Sequence, residues 1–155
     1  MTTIRYPWET PPENGEMIEI AEGVHWLRLP LPMKLDHVNI YVLDDGDGWT
    51  LIDTGMKSRR VQAMWQAVLD GPLRGKPVKR GVATHHHPDH IGVHGGYVEE
   101  FGAEYVATQV AYLMGGMLTM EIQESYTEGQ IEFYRRAGMR ADLLAARQDE
   151  RTFNF

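Results

Sequence analysis

Hydrophobic and polar positions alternate in short runs through the first third of the chain, a pattern typical of β-strands. Four runs show it, at residues 17–20, 24–29, 38–43 and 49–52. The Asp- and Gly-rich segment 44–48 separates the last two runs and predicts a hairpin turn between them. The chain is therefore expected to begin its folded part with antiparallel strands.

After residue 58 the hydrophobic period changes from two to about 3.6, which predicts an amphipathic helix capped by Ser58. Its apolar side would comprise Val61, Met64, Trp65, Val68 and Leu69. A strand at 78–84, a helix at 89–101 and a strand at 104–107 follow in the same reading. Antiparallel strands followed by strand–helix–strand units predict an α/β fold with a mixed sheet flanked by helices.

The last third of the chain is predicted to be helical, at residues 108–120, 121–137 and 141–150. The chain then divides into an extended arm at 1–15, a β-rich part at 16–108, which the family resemblance described below makes a half-domain, and a helical segment at 109–155. Aromatic and Met side chains recur in this segment, at Tyr112, Met114, Met117, Met120, Tyr126, Phe133 and Tyr134. They could line an adaptable apolar substrate pocket, but their helical spacing favours packing between helices.

Composition narrows the classes of function that fit. The 155 residues suit one domain, and the net charge of 15 − 22 = −7 argues against nucleic acid or an anionic membrane as partner. The absence of Cys excludes a disulfide framework and a Cys-based zinc site. Neither a signal-peptide pattern nor an apolar run of about 18 residues occurs, so we expect a cytoplasmic protein acting on a small molecule.

The candidate chemistry lies in the segment THHHPDHIG, because four of the seven His fall within residues 85–90. In an extended chain His85 and His87 point the same way and can close on one ion, whereas His86 points away. Asp89 and His90 follow a proline at the start of the next predicted helix, which suits a second ion beside the first. Imidazole and carboxylate ligands suit zinc, with iron or manganese as alternatives.

The alternative interpretation is an exposed His-rich loop that picks up metal adventitiously. His25, His37 and His94 are most simply ordinary histidines, although His37 precedes a strand and could reach the mouth of the site. Asp53 can likewise be interpreted as a plain turn residue, because Asp is common in turns without having a functional role there.

The run His85-x-His87-x-Asp89-His90 resembles the metal-binding signature of the metallo-β-lactamase superfamily, in the form seen in glyoxalase II-like members. The strand sequence NIYVL from Asn39 and the sequence LIDTG ending at Gly55 also resemble that family's early strands and its Asp-Thr-Gly turn. The resemblance is good over residues 17–108. Beyond them the helical segment resembles an insert that some members use as a substrate lid.

The resemblance implies the N-terminal half of an αββα sandwich. It makes His85 and His87 ligands of a first metal, Asp89 and His90 ligands of a second, and Asp53 a carboxylate that braces the ligand loop. One or two zinc ions are implied. A metal-bound hydroxide, oriented by the catalytic Asp89, would attack an ester, thioester, lactone or amide.

The chain departs from this family pattern in one respect. Family members complete each site with a further His from later strands, and here no His follows His94. Each metal would have two ligands from this chain instead of three, so we expect a longer enzyme, or another copy or protein that supplies the missing half.

Two rival readings stand beside this one, the first because such enzymes resemble the THHH-x-DH pattern equally well and the second because the later strands are missing. One is a mononuclear-iron sulfur dioxygenase of the same superfamily. The other is a catalytically incomplete half-domain that exposes Val38, Ile40 and Val42, or their neighbours, on an uncovered sheet. Exposed apolar faces drive association, so we expect a homo-oligomer.

Overall fold

The part of the chain that the structure describes contains one mixed sheet of six strands, placed side by side in the order of the sequence. The structure is a computed structural model, and it describes residue 4 and residues 7–120 and 127–149. Its strands are β1 (Met17–Ala21), β2 (Val24–Pro30), β3 (His37–Asp44), β4 (Trp49–Ile52), β5 (Val78–Ala83) and β6 (Glu104–Ala107). The pairs β1–β2, β2–β3 and β3–β4 are antiparallel, while β4–β5 and β5–β6 are parallel. The predicted α/β class and mixed sheet are confirmed.

Six helices accompany the strands in the described part of the chain. They are α1 (Arg59–Asp70), α2 (Pro88–Ile91), α3 (His94–Phe101), α4 (Gln109–Met120), α5 (Glu128–Arg136) and α6 (Ala141–Asp149). The predicted cap of α1 is confirmed, since the Val61 N–H donates to Ser58 Oγ at 3.1 Å. The chain forms two compact units, which divide between Gly115 and Gly116. The predicted three-part organisation stays a prediction.

The helix predicted at 89–101 is wrong as one continuous element. The structure has two helices instead, α2 and α3, with Val93 between them as the N-cap of the second. Val93 lies outside a continuous helical ladder because its N–H donates to Thr54 Oγ1 at 3.2 Å. A hydrogen bond to a residue 39 positions away thus interrupts a locally favourable helix.

One face of the sheet carries the core of the first unit. Val38, Ile40 and Val42 lie on this face at 7%, 0% and 0% exposure, together with Leu27 and Leu51. The expectation that these three β3 side chains are uncovered is therefore wrong. The buried and exposed positions of β3 alternate as predicted. Val38, Ile40 and Val42 pack against α1, and their neighbours along the strand lie on the opposite face.

The opposite face carries a row of apolar side chains that crosses all six strands in register, with one member from each strand. We call it the outer row: Ile18, Trp26, Tyr41, Ile52, Val82 and Val106. None of the six is buried, and Tyr41 and Val106 are 36% and 38% exposed. The apolar surface left open is thus made by the neighbours of the buried positions.

The second unit contains α5 and α6, with Ile131 and Leu144 buried. A capping box at Thr127 begins α5, whereas the sequence predicted a helix over 121–137. Residues 121–126 of that prediction lie outside the described residues. The prediction that the aromatic and Met side chains pack between helices is wrong for three of them. These three, Tyr112, Met117 and Phe133, are 62%, 42% and 67% exposed. No helix among the described residues is long and apolar enough to cross a membrane.

Candidate metal centre

The predicted ligands lie where the parallel strands β4 and β5 end at the same edge of the sheet. Asp53 directly follows β4, and Thr84 directly follows β5. Asp53 has φ = 62°, a left-handed conformation that Asp and Asn adopt more readily than other residues with a side chain. This conformation occurs at a buried carboxylate, 4% exposed, beside the ligand segment.

The first ligand pair is His85 and His87. His85 Nε2 and His87 Nδ1 lie 3.0 Å apart, so two ring nitrogens meet at one point. On its other side, His85 Nδ1 lies 3.0 Å from Thr84 Oγ1. The Thr84 hydroxyl gives its proton to Asp53 and accepts from His85 Nδ1, which leaves the lone pair of His85 on Nε2.

The second ligand pair is Asp89 and His90, at the start of α2. His90 Nε2 lies 3.4 Å from Asp89 Oδ2, and His90 Nδ1 lies 2.7 Å from Asp53 Oδ2. Because a carboxylate only accepts hydrogen bonds, Nδ1 carries the proton and Nε2 is left with its lone pair. A carboxylate that fixes the tautomer of a histidine in this way is the usual outer partner of a metal ligand.

Asp53 connects the two pairs. Its Oδ1 accepts from the Thr84 N–H at 2.8 Å, while its Oδ2 accepts from Thr84 Oγ1 at 2.7 Å as well as from His90. The rings of His85 and His90 lie side by side, with centroids 4.0 Å apart. One buried carboxylate therefore orients a ligand of each pair, directly for His90 and through Thr84 for His85.

The chemistry of these side chains fits metal ions as two separate pairs. Two nitrogens on one tetrahedral zinc are about 3.3 Å apart for zinc–nitrogen distances of about 2.05 Å. The 3.0 Å separation in the first pair is within a few tenths of an ångström of that value. Within residues 7–120 and 127–149, however, no three His, Asp or Glu side chains are grouped so that they could hold an ion. Each pair is a partial ligand set.

The environment of His85 favours the neutral form of its ring. Partial burial, and then the neighbouring rings of His90 and His87, lower the pKa of His85, while Asp53 and Asp89 oppose the shift. A neutral imidazole is the form that binds a metal ion.

The remaining histidines are placed elsewhere. His37 lies at the start of β3, with Nδ1 2.6 Å from Asp36 Oδ1, and its role at a site mouth stays a prediction. His86 contacts the ring of His87, and His25 packs edge-on against Trp49. His94 is buried on α3, and burial lowers its pKa to about 4.

Two residues of this site were not identified by the sequence analysis, Thr84 and Thr54. Thr84 links His85 to Asp53, and Thr54 is fully buried against the main chain of His90. The available signal was position alone, since Thr84 directly precedes the His run and Thr54 directly follows Asp53.

Comparison with known proteins places this geometry in a family. The model of the metallo-β-lactamase superfamily matches residues 33–153, which is most of the chain and includes every predicted ligand. The chain belongs to the metallo-β-lactamase superfamily. The resemblance drawn from the sequence is confirmed, and so is the fold.

Individual relatives agree with this assignment. A crystal structure of a β-lactamase domain protein from Burkholderia ambifaria is 32% identical, has a TM-score of 0.74 and covers 95% of this chain. A metallo-β-lactamase family protein from Thermus thermophilus shares the fold at 24% identity, with a TM-score of 0.64 over 88% of this chain. A Bacillus subtilis (strain 168) protein named "Probable metallo-hydrolase YqjP" is 27% identical over 101 residues, or 60% of this chain.

The chain spans less than half the length of these relatives. It covers 45% of the Burkholderia protein, 46% of the Thermus protein and 31% of the Bacillus protein.

Proposed function

We propose that this chain provides half of the metal site of a hydrolase that cleaves an ester, thioester, lactone or amide. One observation carries the proposal. Two pairs of ligand atoms converge, at 3.0 Å and 3.4 Å, and both are oriented by the single carboxylate of Asp53. Superfamily membership and the name of the Bacillus relative support the same chemistry.

His85 and His87 would hold one ion, and Asp89 and His90 a second. When bound, such ions supply Lewis acidity for activating water and polarising a carbonyl. His87 is exposed, so its ring can exchange tautomers and present Nδ1 at little cost. Asp89 can ligate through one carboxylate oxygen and accept a hydrogen bond from the attacking water through the other, which orients that water.

Zinc is the proposed metal, because neutral imidazole and carboxylate form its common ligand set. Metal content after dialysis against a weak chelator tests this choice. We expect zinc, at up to two ions per chain. Iron would favour the sulfur dioxygenase alternative, and loss of all metal would contradict metal binding by this chain alone.

Replacing both ligands of the first pair, His85→Ala with His87→Ala, tests the hydrolase assignment in a protein that carries the whole site. Hydrolysis of thioester and lactone substrates should fall by at least about 100-fold. His86→Ala is the matched control, because it removes a neighbouring imidazole that belongs to neither ligand pair and should leave turnover unchanged. Unchanged turnover in the double variant would overturn the assignment.

We also propose that two copies of the chain associate through the outer row. The side chains of the row are uncharged. A two-fold axis brings the same surface of both copies together, so the row of one copy can pack against the row of the other without opposing charges. Each ligand pair is moreover incomplete in the described part of one chain. A second copy packed on the outer row could therefore also supply missing metal ligands.

Light-scattering mass at micromolar concentration tests this association. The wild-type chain should have a mass of 2 × 17.7 = 35.4 kDa. Tyr41→Lys places a charge in the centre of the row and should give a monomer. Val110→Lys places the same charge on α4, at a side chain 66% exposed, and should remain dimeric. A monomeric wild type would contradict the proposal.

A further inference from the structure

The second ligand pair is carried by a helix that cannot hold its own position. α2 has four residues, Pro88–Ile91, and none of them is buried. One hydrogen-bonded turn is close to the minimum size of a helix and gains little stability by itself. The orientation of Asp89 and His90 must therefore be set by contacts from other parts of the fold.

Thr54 provides such contacts at the C-terminal end of the turn. Its N–H donates to the His90 carbonyl at 2.8 Å, and its hydroxyl donates to the same carbonyl at 3.2 Å. The hydroxyl oxygen also accepts from the Val93 N–H at 3.2 Å. Thr54 is fully buried, so water does not compete for these hydrogen bonds.

Trp65 in turn fixes Thr54. Its indole N–H donates to the Thr54 carbonyl at 2.7 Å, and the side chain is 1% exposed on α1. The Trp65 ring also packs edge-on against Tyr97 of α3, with centroids 5.7 Å apart. Trp65 thus contacts the loop after β4 and the helix that follows α2.

Gly92 shows how closely the two segments approach. A Cβ atom at this position would lie 2.5 Å from Lys57 N, 2.6 Å from Pro88 O and 2.8 Å from Gly55 O. All three are backbone atoms, which cannot move aside as the end of a side chain can. The turn and the loop after β4 are therefore in direct main-chain contact.

We propose that Thr54 and Trp65 are positioning residues for the Asp89–His90 pair and act through the main chain of His90. Neither side chain touches a ligand atom. The inference rests on the proposed function, because it gives these two residues a role only if Asp89 and His90 bind metal.

The competing explanation is that both residues are ordinary core residues. The chain contains a matched control for each of them. Trp49 is also buried, at 7% exposure, and its indole N–H donates to the Leu73 carbonyl at 3.0 Å. Thr50 is 6% exposed, and its hydroxyl donates to Asp45 at 3.2 Å. Trp65→Phe and Trp49→Phe each delete one buried indole hydrogen bond, and Thr54→Val and Thr50→Val each delete one buried hydroxyl.

Zinc affinity of the four variants, measured by competition with a chromophoric chelator, separates the two explanations. We expect Trp65→Phe and Thr54→Val to lower affinity by about tenfold, as loss of an outer support of a ligand does. Trp49→Phe and Thr50→Val should remain within about twofold of the wild type, although the unfolding midpoints of both Trp variants fall. Equal affinities for Trp65→Phe and Trp49→Phe would overturn the inference.

A metal-free measurement keeps this test independent of the proposed function. The ¹⁵N shifts of the His90 ring report whether Nδ1 carries the proton that it donates to Asp53. The wild type and the two control variants should show a single Nδ1–H tautomer, whereas Trp65→Phe and Thr54→Val should show a mixture. Absence of zinc from a protein that carries the whole site would contradict the proposed function, while an unchanged His90 tautomer in Trp65→Phe would contradict the positioning role.

Discussion

The two ligand pairs are built from similar side chains but are supported in different ways. His85 and His87 lie on the loop that follows β5, and the described support of His85 is a single hydroxyl, that of Thr84. Asp89 and His90 lie on a short helix whose main chain is held by the buried Thr54. The first pair can adapt when an ion binds, whereas the second pair is already oriented by the core.

Asp53 is the element that both pairs share, and its replacement should have the largest effect. Asp53→Asn keeps a residue type that tolerates the left-handed backbone. It removes the negative charge of the carboxylate to which His90 and Thr84 donate hydrogen bonds. We expect zinc affinity to fall by about 100-fold at each pair, measured by isothermal titration. A loss confined to one pair would contradict a shared carboxylate.

Acid should weaken the protein through His94, on the helix that follows the second pair. Burial lowers the pKa of this imidazole from 6.5 to about 4, although Asp53 and a backbone hydrogen bond with Val82 oppose the shift. The unfolded chain therefore takes up a proton before the folded chain does. Stability is complete above pH 6.5 and falls by about 3 kcal/mol as the pH drops to about 4.

Urea unfolding between pH 7.5 and 4.5 measures this loss. His94→Phe keeps an aromatic ring against Gly81 and Tyr105 without a titrating group, so its stability should depend less on pH than that of the wild type. Parallel pH profiles for the two proteins would show that His94 is not the source.

Gly92→Ala should disturb the second pair and spare the first, because its Cβ would meet three backbone atoms at 2.5–2.8 Å. We expect a destabilisation of about 2 kcal/mol in thermal unfolding, together with weaker zinc binding. Gly95→Ala is the control, since a Cβ there meets nothing within 4 Å and lies in a helix that Ala favours. Equal effects of the two substitutions would contradict the close contact.

Thr84→Val should give the smallest effect and act on the first pair. It keeps the shape of the side chain but removes the oxygen between His85 and Asp53. Zinc affinity at the first pair should fall by about tenfold, while the His90 ring keeps its Nδ1–H tautomer because its own hydrogen bond to Asp53 remains. Loss of that tautomer would contradict a role of Thr84 that is confined to the first pair.

The sequence predicted local features better than long-range ones. The strands, the Ser58 cap and the convergence of His85 on His87 follow from spacing along the chain. The break between α2 and α3 does not, because it depends on Thr54, 39 residues before Val93.

The two faces of the sheet show the same limit. A period of two separates Val38, Ile40 and Val42 from Tyr41, but only the packing of α1 decides which set is buried. The link from His85 through Thr84 to Asp53 likewise joins neighbours of two different strands, which no local pattern contains.

A zinc titration followed by the ¹⁵N shifts of all seven histidine rings tests the central claim most directly. We expect His85 Nε2, His87 Nδ1 and His90 Nε2 to shift as zinc is added, while His25, His37, His86 and His94 do not. Shifts at His86 in place of His87, or at no ring, would contradict the assignment of the two ligand pairs.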